Sequence, residues 1–230
     1  MSLAGKAPAG SSRLTGPSEH LPKDLDPKYT VLLSGDFLWR VYERKLYTEP
    51  VPHIAGADTF RYYGPLARFD HHAPVGVCEG PDPERGIYYA GEDRWNCAVE
   101  VFFAQKTIKI RGYYMADLAV REDILLLDLR DESEGAVKIG ATAEISKCDH
   151  GISQEWARFI HAHPLDFCQS GLSVQGLMYN NAHIGGVSVA LFERAAGTLE
   201  VINDDPLSLP PLRSALDMLS KRIPGLYVET

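Results

Sequence analysis

Cysteine is scarce and scattered: Cys78, Cys97, Cys148 and Cys168 are the only four, and no two stand in C-x-x-C spacing. That absence argues against a redox pair or a zinc ribbon and leaves the four to be read as free thiols of a reducing compartment, which implies a cytoplasmic protein. No apolar run approaches the roughly 20 residues that a membrane span requires. Lys6 and Arg13 are not followed by the apolar stretch of a secretion signal. Basic residues are outnumbered, 23 Lys and Arg against 31 Asp and Glu, for a formal net charge of −8. Such a balance speaks against a sequence-independent nucleic-acid binder, which presents excess cations to phosphates. There is no G-x-G-x-x-G after a strand and no G-x-x-x-x-G-K, so Rossmann and P-loop readings fall away. A G-x-S-x-G serine-hydrolase elbow is missing too.

What is present suits one soluble globular domain. The 230 residues are 45% hydrophobic and 23% charged, enough to bury a substantial core and too few for two catalytic domains. Residues 1–30 are rich in Gly, Ala, Ser and Pro and carry hardly a large apolar side chain before Tyr29. They read as a flexible tail, with the folded domain over 31–230.

Within the domain, Phe37 to Tyr42 reads as a first strand, and residues 50–86 as irregular connections around a short segment near Phe60 to Tyr63. Gly86 to Ala90 reads as a strand broken by Gly91. Asp93 then caps a helix with Trp95, Ala98, Val99, Phe102 and Phe103 on one face. Further strands are expected at 108–110, 124–129, 172–179, 186–192 and 198–202. Helices are expected from Ser153, with Trp156, Phe159 and Ile160 inward, and from Leu212 to Ile223 after Pro210-Pro211. Strands and helices interleave irregularly, and short links such as Asn180 to Gly185 favour antiparallel pairing and an α+β fold.

Glu100 is the residue hardest to explain blandly, because Ala98, Val99, Val101, Phe102 and Phe103 around it are all apolar. A carboxylate beside a buried face costs several kcal/mol unless something compensates it; the bland alternative is a surface glutamate at the edge of the apolar stripe. Arg40, between Trp39 and Val41, and Arg68, before Phe69, pose the same question. Each is either a structural ion-pair former or a bidentate grip on phosphate or carboxylate. His71-His72, Cys148 with His150, and His161 with His163 offer metal-ligand types but lack the spacing of a known site, and the last two would point apart on a helix. Cys97 on the apolar helix reads as core rather than nucleophile.

Four segments in order carry a resemblance. Trp39-Arg40-Val41-Tyr42, Arg68-Phe69, Ile87-Tyr88-Tyr89-Ala90 with Glu100 eleven residues after Tyr89, and Tyr179-Asn180-Asn181 leading through Gly185-Gly186 to an apolar strand ending in Phe192 together resemble the RES-domain family over roughly residues 35–195.

The resemblance implies an ADP-ribosyltransferase-like fold, a split and mostly antiparallel sheet with flanking helices. It also implies an enzyme that cleaves the nicotinamide glycosidic bond of NAD⁺ by hydrolysis, phosphorolysis or ADP-ribosyl transfer. On that resemblance Arg40 and Arg68 line the NAD⁺ pocket, Tyr89 stacks on or orients the nicotinamide end and Glu100 serves the reacting ribose. Bond cleavage builds oxocarbenium-like charge that a carboxylate stabilises, and this chemistry needs no metal. Family toxins are commonly held by an Xre-like antitoxin, so such a partner is implied, and a homodimer is compatible with the sequence. The chain departs from the family where a serine is expected, because Asn181 stands there; asparagine still donates and accepts hydrogen bonds. The competing reading is a non-catalytic nucleotide-binding or interaction protein with a degenerate site.

Overall fold

The computed structural model describes residues 16–17, 25–47, 53–73, 79–164 and 173–229. Residues 1–15 and 18–24 of the expected tail, together with Cys78, Cys168 and Leu172, lie outside the described residues. The main sheet has eight strands: β1 (Tyr29–Leu32), β2 (Phe37–Glu43), β3 (Ile87–Gly91), β4 (Tyr113–Val120), β5 (Ile124–Asp128), β6 (Gly176–Asn180), β7 (Val187–Phe192) and β8 (Leu199–Pro206). Their order across the sheet is β1-β5-β6-β7-β3-β2-β4-β8. Only β5 and β6 run parallel; the other neighbours are antiparallel, so the fold is α+β.

The sheet is nearly severed in its middle. Strands β2 and β3 share a single register pair, Trp39 opposite Gly91, whereas β2 and β4 pair over seven positions. Three helices of two turns or more flank the sheet among the described residues: α1 (Arg94–Phe102), α2 (His150–Ala162) and α3 (Pro210–Arg222). No helix among them is long and apolar enough to cross a membrane.

Strand alternation divides the core. Leu38, Tyr42, Tyr88, Ala90, Leu118, Leu126, Met178 and Val189 cluster on one face. On the opposite face, Ile87, Leu127, Leu177, Tyr179, Ala190 and Phe192 pack against Trp156, Ala157 and Ile160 of α2. Also on that side, Val41 and Met115 pack against Ala98 and Phe102 of α1 and Leu216 of α3. Helix α1 therefore lies across the split, touching both halves. Its buried face is accordingly shifted from the stripe read in the sequence: Asn96 and Cys97 are buried with Ala98, Val99 and Phe102, while Trp95 and Phe103 are only half-buried. The α-helix also stops at Phe102, and Phe103 begins a short 3-10 turn that Lys106 closes in a left-handed conformation.

Three expectations shift. Strand β4 lies where no element was read, because Ala116, Asp117 and Ala119 dilute its strand character. It forms because β2 and β8 pair along both its edges and Arg94 holds Asp117 at 2.7 Å. Helix α2 begins at His150 rather than Ser153, capped by the Asp149 side chain on the Gly151 N–H. Ser153 is fully buried, its hydroxyl donating to the Ile145 carbonyl at 2.7 Å. Helix α3 starts on Pro210 itself, as proline's fixed φ allows in a first turn.

Candidate active site

Helix α1 brings Glu100 to the site. The strand β3 ends at Gly91, and the Asp93 carboxylate accepts hydrogen bonds from the Trp95 and Asn96 N–H groups at 2.8 and 2.9 Å. Two turns on, Glu100 is half-buried, and its Oε2 is buried with no hydrogen-bond partner among the described residues. Burial pushes its carboxyl up, and the Arg68 guanidinium nearby pulls it back down in part. Arg68 itself hydrogen-bonds the Cys148 carbonyl, which pins the side chain without neutralising it. The Arg68 charge thus acts on a carboxyl whose Oε2 is buried and unpartnered, and no ion pair between the two is closed among the described residues.

The loop that carries Arg68 is held by Asp70, which is wholly buried. Its oxygens accept from Arg61 Nη2 at 2.7 and 2.8 Å, from the Leu66 and Ala67 N–H groups, and from the Tyr89 hydroxyl at 2.8 Å. The Arg61 guanidinium and these N–H groups hold the Asp70 carboxyl below its usual range despite its burial. Tyr89 also accepts from the Phe69 N–H at 3.1 Å, so its hydroxyl is occupied in anchoring this loop beside the site. Burial, reinforced by Asp70, pushes the Tyr89 phenol well up, so it stays protonated and donates.

Tyr179, at the end of β6, is the member that sequence reading left without a role. It is 2% exposed, its ring lies 4.6 Å from that of Phe69, and the Glu100 charge adds to the burial that holds its phenol up. No motif spacing marks it; the signal available was its place in the Tyr-Asn-Asn segment.

Asn181 is 1% exposed and fully engaged. Its Oδ1 accepts from the His183 N–H at 2.7 Å and the Ile184 N–H at 3.3 Å, and its Nδ2 donates to the Asn96 carbonyl at 3.4 Å. It thereby builds the β6–β7 turn and ties it to α1. The glycines that follow fit this turn. Gly185 has φ +73°, and a Cβ at Gly186 would meet Asn96 Oδ1 at 2.6 Å. Asn181→Ala should therefore destabilise the protein by about 1–3 kcal/mol through the unsatisfied turn groups, measured by urea unfolding. An Asn181→Ala protein with unchanged stability and lost turnover would instead assign the side chain to substrate.

Arg40 stands apart from the other four. It lies on the face of β2 that carries Leu38 and Tyr42, with its guanidinium 4.1 Å from the Tyr88 ring centre and Nη1 donating to the Thr59 carbonyl at 2.9 Å. Glu100 sits with α1 on the opposite, Val41 side. The structure gathers Arg68, Tyr89, Glu100 and Asn181 on the α1 side of the sheet and places Arg40 on the other.

Burial keeps the Cys97 thiol protonated, and it donates to the Trp39 carbonyl at 2.9 Å, as expected of a core residue. The histidines combine differently from their sequence neighbours. His71, from the loop, and His161, on α2, both contact Glu193 at the end of β7, at 3.0 and 2.8 Å. Their rings stack with centres 4.2 Å apart, and burial drives His71 down to about 4. His163 points away, onto Phe159.

Comparison with curated proteins finds no match. Among solved structures, a chain of the M. tuberculosis MbcT–MbcA toxin–antitoxin complex is similar at 15% identity and a TM-score of 0.48, covering 80% of this chain and 90% of that one. The family model described as the RES domain matches residues 37–211. That match spans both halves of the sheet, α1, and all four gathered residues, and the chain belongs to the RES-domain family.

Proposed function

We propose that this protein consumes NAD⁺, cleaving the bond between nicotinamide and ribose and passing ADP-ribose to water, phosphate or a protein acceptor. The observation that carries the reading is the buried, unpartnered Oε2 of Glu100, a carboxyl on which the Arg68 charge acts. As the glycosidic bond breaks, nicotinamide leaves with the bonding electron pair and positive charge develops on the ribose carbon. A carboxylate already stripped of water interacts with that charge more strongly than a solvated one. It can also hold a ribose hydroxyl or take the proton of an attacking acceptor. Arg68 favours the ionised form of the carboxyl against the effect of burial and offers its remaining N–H groups to the pyrophosphate. Tyr179 and Phe69 pack on each other beneath the site, and Tyr89 holds the loop in place. No step requires a metal.

In this reading Arg40 serves the nucleotide from the far side of the split, or only braces Tyr88 and Thr59. Arg40→Ala with unchanged KM for NAD⁺ would remove it from the pocket. Family membership extends the proposal to a toxin held by an Xre-like antitoxin in the cytoplasm. Growth arrest on expression of the wild-type chain, relieved by Glu100→Gln, is the expected sign.

The direct test incubates purified protein with NAD⁺, with and without phosphate, and follows nicotinamide release. Release that depends on phosphate identifies phosphorolysis, and release without it identifies hydrolysis. The pH profile supplies a second check. Glu100 acts ionised, so kcat/KM falls as pH drops through its raised pKa, and Arg68→Ala, by removing the charge that lowers that pKa, moves the acidic limb to higher pH. A limb that does not move would separate Arg68 from Glu100.

One observation favours a second reading, in which the protein binds the nucleotide without turning it over: Asn181 spends both ends of its amide on the turn and on Asn96. NAD⁺ that binds and survives intact would establish that reading.

A further inference from the structure

Outside the candidate active site, one cluster of side chains is left without a task. His71, His161 and Glu193 come from three separate elements, the loop after Asp70, helix α2 and the turn after β7, and their ligand atoms all lie within 4.8 Å of one another. We propose that these three residues form a binding site for a divalent first-row metal ion, zinc foremost, which clamps the 66–72 loop onto α2 and the end of β7.

The donor set is two imidazole nitrogens and one carboxylate, a combination that suits zinc and leaves a fourth position for water. Both ring Nε2 atoms already point at the same carboxylate, at 3.0 and 2.8 Å from its two oxygens. A zinc ion needs its ligands about 2.0–2.2 Å away, so it can replace the two shared hydrogen bonds with small side-chain movements. The His71 side chain is wholly buried, whereas those of His161 and Glu193 are 16% and 24% exposed, which gives the ion an entry path from solvent on one side.

Proton balance is simple. In the metal-free state each Nε2–H donates to Glu193; on coordination the lone pair of Nε2 goes to the metal and the ring proton moves to Nδ1. In His71 that Nδ1 is buried with no hydrogen-bond partner, so it can take the proton, and the new N–H stays unpaired at a cost to affinity. Arg194 sets the ceiling on affinity. Its Nε lies 3.9 Å from Glu193 Oε1, while its terminal nitrogens are held by the His161 carbonyl and the Ser173 hydroxyl. A fixed cation beside the carboxylate should bring binding into the micromolar range.

The site is distinct from Glu100, so its test does not depend on NAD⁺ turnover. Tag-free full-length protein is stripped with a chelator and titrated with Zn²⁺ by calorimetry and with Co²⁺ by visible absorption. One equivalent should bind, with a rise of several degrees in Tm at saturating Zn²⁺. His161→Ala, at a partly exposed position, should weaken binding by at least about 100-fold, and Glu193→Gln should weaken it while circular dichroism shows the fold intact. His163→Ala, two residues along the same helix, should bind as the wild type does. No binding at micromolar Zn²⁺, or equal binding by the His161→Ala and wild-type proteins, overturns the assignment.

Discussion

Replacing Glu100 by glutamine should lower nicotinamide release by about 1000-fold, the scale of losing one electrostatic stabiliser from a water-excluded site, while making the protein more stable. The two effects have one source. Glu100 is held half-buried with a buried, unpartnered oxygen and a carboxyl pushed above its ordinary range. The folded state therefore carries an imperfectly compensated charge, and neutralising it without changing its shape should gain on the order of 1 kcal/mol. Single-turnover kinetics and urea unfolding on the same preparation read both. A Glu100→Gln protein that is less active and also less stable would mean that the carboxylate pairs with something in the folded chain and is structural. A protein as active as the wild type would remove Glu100 from the chemistry.

Asp70→Ala should have the largest effect on stability, a loss of about 3–5 kcal/mol, as expected when one partner of a buried ion pair is removed and the other stays. The substitution leaves Arg61, two backbone N–H groups and the Tyr89 hydroxyl without their shared acceptor. Activity should fall with it, because Arg68 rides on the loop that these bonds define. The pH dependence has a definite sign. Asp70 is held below 3.8 in the folded state, so its contribution is complete above that pH and is lost as the pH falls further and the carboxyl protonates. The stability gap between the wild type and Asp70→Asn should therefore be constant near neutrality and close in strong acid. A loss below about 1 kcal/mol in Asp70→Ala would be that of an ordinary surface pair and would show that the loop is held by other contacts.

Much of the architecture was legible in the sequence wherever local signals and tertiary demand agree. Asp93, Gly91 and the apolar spacing after them placed α1 to within a residue, and the run from Phe37 gave β2 its start. Strand β4 was illegible because its pairing comes from β2 and β8, which are distant in sequence, rather than from its own alanines and aspartate. Glu100 could be singled out because a carboxylate among five apolar neighbours contradicts its surroundings. Asp70 could not, since an aspartate beside two histidines in a Pro- and Gly-rich region looks like an ordinary loop. Its significance lies in burial and in a hydrogen-bond partner, Tyr89, on another element. Arg40 shows the limit of motif order: alternation along β2 sends it to the face away from Val41, and no spacing along the chain reveals on which side of the sheet α1 will settle. The histidines make the same point, because adjacency in sequence pairs His71 with His72, whereas the fold pairs it with His161.

The single backbone pairing between Trp39 and Gly91 bears on how this protein can change. Elsewhere in the sheet a ladder several residues long fixes the spacing of neighbouring strands, and shifting it would break many bonds at once. At the split, the ladder fixes almost nothing, and the two halves are tied instead through side chains of α1: Cys97, whose thiol donates to the Trp39 carbonyl, and Asn96, whose Nδ2 donates to the Val187 carbonyl. Substitutions on that one short helix can therefore widen or narrow the cleft by tenths of an ångström while both half-sheets keep their register. A change in the shape of the split needs no rebuilding of the scaffold, only a new wedge.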